Sequence, residues 1–311
     1  MIVQHNLLAM NSNRMLGITT KKQASSTEKL SSGYKINRAA DDAAGLAISE
    51  KMRRQIRGLT QASANAQDGI SCVQTAEGAL NEVHDMLQRI TELAVKGETA
   101  TLTSTDRSYI QTEVQQLMSE IDRVQSTTTF NEQNLLTGEF TSKALQVGAE
   151  AGQHISITIK NMSVSGLVES AVENQGSKEF GGADGDKATS TIEKQAAAAI
   201  DTFYMSFNKD DITTVAEAKD FASLNATVKA MLQEVSKQRS DLGSVQNRLE
   251  HTISNLDNIV ENTTSAESQI RDTDIATEMV KYSNNNILQQ AGTSMLSQAN
   301  QSNQLALSLL G

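Results

Sequence analysis

Two adjacent carboxylates, Asp41 and Asp42, are the side chains of this 311-residue chain that most resemble a catalytic pair. Paired carboxylates perform general acid–base chemistry when both can reach the same reacting bond. Neighbouring residues on a helix point about 100° apart and do not share a face. We therefore interpret Asp41 and Asp42 as structural groups that satisfy buried backbone or arginine donors.

The other nucleophilic and metal-binding side chains are few and scattered. A single cysteine, Cys72, excludes an intrachain disulfide framework and a cysteine-based zinc site. We interpret it as a small, partly buried hydrophobe rather than a redox group. The four histidines form no pair on a helix face, and His154 is expected to face solvent. The sequence thus predicts no enzymatic activity, no metal and no cofactor.

Charge is distributed unevenly along the chain. The net charge is −10, yet residues 1–40 carry six basic residues and one acidic residue, and residues 282–311 carry no charge. The acidic balance argues against a nucleic-acid partner, and the basic run at 51–57 lacks interleaved aromatic residues. The sequence contains no run of about 18 apolar residues, so it predicts no membrane-spanning helix. The N-terminus also lacks the basic and apolar regions of a cleaved secretory signal.

Composition and periodicity predict long helices. The chain has no proline or tryptophan and only 3% aromatic residues, a composition that suits uninterrupted helices better than a large rounded core. Apolar residues recur at alternating steps of three and four from Ile56 to Ala94, from Ile110 to Val124 and from Leu224 to Ile270. The helix of the stripe from Ile110 to Val124 is expected to start at a cap within Ser104–Thr105–Asp106. The helix of the stripe from Ile56 to Ala94 is expected to end at Lys96–Gly97.

The middle of the chain has a different pattern. The segment Phe130–Gly138 is typical of a turn-rich connector, whereas Leu145–Val147 and His154–Ile159 alternate apolar and polar residues and predict a β-hairpin. Residues 174–190 are glycine-rich and loop-like, and residues 191–221 predict two short helices. We expect this last part to form a small outer piece.

The two termini carry weaker apolar stripes. Terminal segments so rich in asparagine and glutamine cannot offset their ordering entropy alone. We expect them to be disordered in a free subunit and to fold against copies of themselves. The stripe residues are Leu8, Met15 and Ile18 near the N-terminus, and Leu288, Ala291, Met295, Leu305 and Leu309 near the C-terminus.

Four motifs resemble those of the bacterial flagellins. They are SSGYKINRAADDAAGLAISEKMRRQIRGL at 31–59, HNLLAMN at 5–11, NRLEHTISNL at 247–256 and SQIRDTDIATEMV at 268–280. The resemblance covers roughly residues 1–160 and 222–311. The segment 161–221 corresponds to the variable outer part of flagellins and contains no HExxH metalloprotease motif.

The resemblance implies a mainly α fold, a long antiparallel helical rod with a small β-hairpin region and terminal helices paired into a coiled coil. Residues 1–40 and 275–311 would form the inner domain, 41–176 and 222–274 the rod, and 177–221 a short outer segment. A spoke near 33–52 would join inner domain and rod. Its joint residues would be Gly33, Asn37, Arg38, Asp41, Asp42 and Gly45. Arg271, Asp272 and Asp274 would be their counterpart, and a salt link from Arg38 or Arg53 to that cluster is a hypothesis.

The resemblance also implies a function and partners. The chain would self-assemble into the extracellular flagellar filament after export without a cleaved signal. Its partners would be other copies of itself, a chaperone at the C-terminal helix, and the filament cap and hook-associated proteins. A hook–filament junction protein is the alternative within the flagellum. A secreted hydrolase and a cytoplasmic coiled-coil signalling rod are the alternatives outside it.

The segment LQRITELAV at 87–95 resembles the flagellin patch that Toll-like receptor 5 recognises. By position the contacts would be Arg89 and Leu93, with Glu113 from the next helix. The structural alternative is that Arg89 only forms an ion pair with Asp85 or Glu92, which stabilises a helix by about 0.2–0.5 kcal/mol. Both interpretations can hold at once.

Overall fold

The computed structural model describes residues 6–176 and 218–308, and within them the chain forms six helices and four short strands. This confirms the mainly α prediction. The predicted outer segment lies almost entirely outside the described residues, as do Leu309 and the side chain of Leu305. The helices are α1 Leu7–Ser32, α2 Ala43–Glu98, α3 Ser104–Thr127, α4 Val164–Gly176, α5 Ala218–Arg271 and α6 Ile275–Ser308.

The chain divides into two compact units, residues 1–58 with 258–311 and residues 59–257. In the second unit, α2, α3 and α5 bury the apolar stripes that their spacing predicts. Because residues three and four apart lie on one helix face, each helix presents a continuous apolar surface to the others. Fully buried members are Val73, Leu80, Val83, Leu87, Ile90, Val114, Ile121, Leu224, Val228, Met231 and Val235.

Local sequence determines where these helices start and stop. The side chains of Thr103 and Asp106 cap α3 reciprocally, so the helix begins one residue earlier than the predicted cap indicates. Helix α2 ends at Glu98, next to the predicted Lys96–Gly97. A Cβ atom at Gly97 would lie 2.5 Å from the ring of Phe221, so glycine is required for this close approach.

The predicted hairpin is present as β3 Lys143–Gln146 and β4 His154–Ile157, paired antiparallel with Leu145 opposite Ile155. His154 is exposed, as expected. The predicted connector contains a second, shorter hairpin, β1 Thr129–Phe130 with β2 Gln133–Asn134. Its turn residues, Asn131 and Glu132, have φ of 47° and 64°. The sequence does not predict this hairpin, because a turn of this kind is usually marked by glycine.

Candidate functional site

In the first unit, α1 packs against α6 along a largely polar seam. The buried and half-buried positions of both helices recur at steps of three and four, as in a coiled coil. Small residues allow close approach, since a Cβ atom on Gly292 would lie 3.2 Å from the Leu16 side chain. The seam consists of Ala9, Ser12, Leu16, Thr19, Gln23, Ser26 and Leu30 on α1, and Glu278, Tyr282, Asn285, Gln289, Gly292, Leu296 and Ala299 on α6.

A buried carboxylate connects the two helices at one end of the seam. The hydroxyl of Ser26 donates to Oε1 of Glu278 at 2.6 Å, and Lys281 Nζ donates to Oε2 at 3.0 Å. Glu278 is only 5% exposed. The hydrogen bond from Ser26, helped by Lys281, lowers the pKa of Glu278 despite its burial. At the other end, the Asn6 amide donates to the Ala299 carbonyl at 3.0 Å.

The predicted terminal stripes do not form this seam. Leu8 is 61% exposed, and Met15, Ile18, Leu288, Ala291 and Met295 are exposed as well. The predicted series on α6 is offset by one residue from the seam, which rotates it by about 100° around the helix. Most of the large apolar residues of α1 and α6 therefore point outward, and Leu16, Leu30 and Leu296 are the exceptions in the seam. We call this outward set the apolar faces; it also includes Leu7, Met10, Ile275, Met279, Val280 and Ile287.

Next to the seam, α1 turns sharply into an extended segment. Gly33 ends α1 with φ of 75°, a left-handed conformation that favours glycine. The returning chain holds this segment by backbone hydrogen bonds. The Lys35 N–H donates to the Arg271 carbonyl at 2.6 Å, and the Thr273 N–H donates to the Gly33 carbonyl at 3.0 Å.

Asp41 and Asp42 act as backbone caps within the predicted joint, a name kept below for this segment and the chain around Arg271. Oδ2 of Asp41 accepts from the N–H groups of Arg38 and Asn37 at 3.0 and 3.2 Å. These two bonds lower the pKa of Asp41. Asp42 accepts from the Gly45 N–H at 2.9 Å, at the start of α2. The two carboxylates thus accept from different backbone groups, as the structural interpretation predicts, but these groups are exposed or half-buried rather than buried.

Arg271 forms the centre of the joint. Its guanidinium carbon lies 4.7 Å from the centroid of the Tyr34 ring, and its Nη1 donates to Glu50 at 2.7 Å. The hydrogen bond from Arg271 lowers the pKa of Glu50. Arg53 also lies near the ring, at 5.7 Å, and pairs with Glu267 at 3.1 Å.

The hypothesis of a salt link from Arg38 or Arg53 to the returning cluster of Arg271, Asp272 and Asp274 is wrong. Arg53 pairs one turn before that cluster, and Arg38 pairs with Glu28 at 2.9 Å. The carboxylates of the cluster have other hydrogen-bond partners close in sequence. Asp272 accepts from Ser268, and Asp274 caps the start of α6.

The second unit carries the predicted receptor-contact residues. Arg89 donates to Glu113 on α3 at 2.8 Å and to Glu92 at 2.9 Å. The side chains of Arg89 and Glu113 are about half exposed, and that of Glu92 is 68% exposed. The bond to Glu92 confirms one of the two ion pairs predicted for Arg89. The second partner of Arg89 is Glu113 rather than the predicted Asp85. Leu93 differs, since it is 2% exposed and belongs to the core. An i,i+4 spacing does not ensure equal exposure when the apolar stripe is wide.

The described residues contain no cluster of histidine, cysteine and carboxylate side chains that could hold a metal ion. Cys72 is buried, and burial raises the pKa of its thiol, so it is a poor nucleophile. Across residues 6–176 and 218–308, no helix combines the length and apolar character needed to cross a bilayer.

Comparisons with known proteins identify the relatives of this chain. The family model described as the bacterial flagellin N-terminal helical region matches residues 3–141, and that of the C-terminal helical region matches residues 226–310. The chain belongs to the bacterial flagellin family. It is 46% identical to a flagellin of Halalkalibacterium halodurans and 45% identical to one of Bacillus subtilis, in each case over all of both chains. It is 43% identical, again over all of both chains, to a flagellar filament 31.3 kDa core protein of Treponema maltophilum.

These matches confirm the predicted class of function, a structural subunit of the flagellar filament. In this flagellin, the helix pair, the joint and the Arg89 patch all lie within the two matched regions. Apolar periodicity does not predict the Ser26–Glu278 pair, because both side chains are polar. The signal present in the sequence is Glu278 as the last acidic residue before the uncharged segment 282–311.

Proposed function

We propose that this flagellin is a non-enzymatic subunit that polymerises by burying the apolar faces of α1 and α6 against other copies. The observation that carries the proposal is the exposure of these faces in a single chain. Eleven large apolar side chains of α1 and α6 are between 43% and 65% exposed, although soluble monomers rarely expose large contiguous apolar patches. A helical polymer of identical subunits would cover them.

Assembly would be coupled to ordering of the terminal helices. The seam between α1 and α6 is mostly polar, so the two helices bury little apolar area against each other and gain little stability from pairing alone. The second unit has a large apolar core of its own. Disordered ends on a folded second unit are therefore the proposed state of the free subunit.

The proposed location is outside the cell, which the subunit would reach by flagellar export. Before export, a chaperone would hold the C-terminal helix through the stripe from Leu288 to Leu309. The filament cap and the hook-associated proteins are the further proposed partners. Their contacts would use the same terminal helices, because those helices carry the apolar faces.

Recognition by Toll-like receptor 5 is proposed for the free subunit, at the surface formed by Arg89 and Glu113. Both side chains lie at the surface of the second unit, where a partner can reach them. The buried Leu93 is assigned a supporting role, because its side chain holds α2 in the core behind Arg89.

Seeded growth of filaments tests the polymerisation proposal. Purified chain added to filament fragments should extend them into long filaments visible by electron microscopy. A chain lacking residues 282–311 should stay soluble, helical and unable to extend the seeds. Leu305→Asp and Leu309→Asp should block extension while the thermal melt of the free subunit stays near that of the wild type. Normal filaments from the truncated chain would overturn the mechanism. Addition of only a few full-length subunits to each seed end, without further growth, would favour the hook–filament junction alternative.

A further inference from the structure

Seven of the nine methionines in the described residues fall into two groups with opposite exposure, and the other two, Met52 and Met86, are half-buried. Met118, Met162 and Met231 lie in the core of the second unit and are 1–8% exposed. Four others lie on the apolar faces of the terminal helices and are 53–64% exposed; these are Met10, Met15, Met279 and Met295.

The exposed methionines have apolar neighbours along their own helices. Met15 is three residues from Ile18, and Met295 is four residues from Ala291 and seven from Leu288, all of which are exposed. Residues 282–311 carry no charged side chain. A new polar group at Met295 would therefore stand in an uncharged part of the helix, beside exposed apolar side chains.

Thioethers react with hydroperoxides in a two-electron step that converts methionine to its sulfoxide. A lone pair on sulfur attacks one peroxide oxygen, an S–O bond forms and the O–O bond breaks. The hydrogen on the attacked oxygen moves to the leaving oxygen, so hydrogen peroxide is reduced to water while sulfur is oxidised. The product is polar, with an oxygen that accepts hydrogen bonds.

We propose that Met10, Met15, Met279 and Met295 form an oxidation site through which hydroperoxides switch off self-assembly without unfolding the subunit. The inference rests on the proposed function, since it requires other copies to cover the apolar faces. A covered sulfoxide would be a polar group buried without a partner. Assembly would in turn shield the same sulfurs, so free subunits are sensitive and filaments are resistant.

The test uses the full chain and hydrogen peroxide at neutral pH, followed by peptide mass spectrometry and seeded growth. Free wild-type subunit should gain oxygen at the four exposed methionines and not at Met118, Met162 or Met231. Its extension rate should fall about tenfold or more for each covered sulfoxide. Subunits in filaments should be oxidised far more slowly at the four positions. A methionine sulfoxide reductase with a dithiol reductant should restore growth of the oxidised chain.

Matched variants separate this site from general damage. Replacing all four exposed methionines with leucine should preserve growth after peroxide, whereas Met118→Leu, Met162→Leu and Met231→Leu together should leave the chain as sensitive as the wild type. The proposal is overturned if the four sites are oxidised and growth is unchanged, or if reduction of the sulfoxides restores no growth. A chain that extends no seeds before peroxide would contradict the proposed function instead, and the mass spectrum alone would then decide whether oxidation is selective.

Discussion

The Ser26 hydroxyl donates a 2.6 Å hydrogen bond to the Glu278 carboxylate across the α1–α6 seam, and both side chains are buried. These residues are 252 positions apart in the chain. A buried polar contact of this kind can specify which residues of two helices lie opposite each other, because a shifted register leaves both groups unpaired.

Glu278→Ala should therefore weaken helix pairing, because it leaves the Ser26 hydroxyl buried without a partner. The expected loss is about 1–3 kcal/mol for each pair of helices. The melting temperature of assembled filaments measures it. Ser26→Ala with Glu278→Ala should recover part of the loss, since no buried polar group then remains unpaired. Equal melting temperatures for wild type and Glu278→Ala would exclude a role for this contact.

The same carboxylate makes pairing sensitive to acid. The folded-state pKa of Glu278 is lowered from the ordinary value of 4.5. A lowered pKa contributes stability that is present above about pH 4.5 and is lost as the pH falls through the folded-state value. Filaments of Glu278→Gln should lack this component and show a flatter decline in stability below pH 4.5. Light scattering across an acid titration compares the two, and superimposable curves would contradict the assignment.

The joint depends on the aromatic ring of Tyr34 beneath Arg271. Tyr34→Phe removes the hydroxyl that interacts with Arg53 but keeps the ring, so it should leave the Arg271 contact intact. Tyr34→Leu removes the cation–π contact of about 0.5–2 kcal/mol as well. Hydrogen exchange at the amides of Lys35 and Thr273 reports on this directly, because both amides donate across the joint. Faster exchange in the leucine variant alone is expected. Equal exchange in both variants would assign the stabilisation to the Arg271–Glu50 ion pair instead.

The long helices and the hairpin β3–β4 could be predicted because their periodic apolar residues are also the residues that they bury. Leu80 and Leu224 are examples, since both lie on predicted stripes and both are fully buried. The seam between α1 and α6 could not be found in this way. Gln289 and Ser12 are polar residues at seam positions, so apolar periodicity identifies the outward side of these helices rather than the side that pairs.

The joint shows a different limit of sequence reasoning. The motif around Asn37 to Gly45 predicts a joint, which stays a prediction, and its two carboxylates accept local backbone hydrogen bonds. The partners of Arg38 and Arg53 could not be deduced, because a salt link depends on which of several nearby carboxylates has its other hydrogen bonds already satisfied. Asp272 and Asp274 are engaged by Ser268 and by the start of α6. That information exists only once the chain is folded.

Gly97 offers a test of packing in the second unit. Gly97→Ala would place a methyl group 2.5 Å from the Phe221 ring, which should destabilise the core by about 1–3 kcal/mol. Phe221→Leu in the same chain should relieve part of this strain, although each single change is destabilising. A double-mutant cycle on the thermal unfolding of the free subunit measures the coupling. If the two changes in unfolding free energy simply add, the Phe221 ring moves away from the new methyl group without loss of stability.

Arg89 and Leu93 should respond in opposite ways to truncation. Leu93→Ala removes a core side chain and should lower the free energy of unfolding by about 2–5 kcal/mol. Arg89→Ala removes only half-exposed ion pairs, so the thermal melt should shift by little, while receptor binding should fall because the side chain is at the proposed contact surface. Surface plasmon resonance with the receptor ectodomain, alongside the melt of each variant, separates the two roles.

Arg89→Lys keeps the charge but not the paired hydrogen bonds to Glu113, and its binding would show whether charge alone is recognised. Normal binding by Arg89→Ala would remove this surface from the receptor proposal, and an unchanged melt for Leu93→Ala would contradict its place in the core.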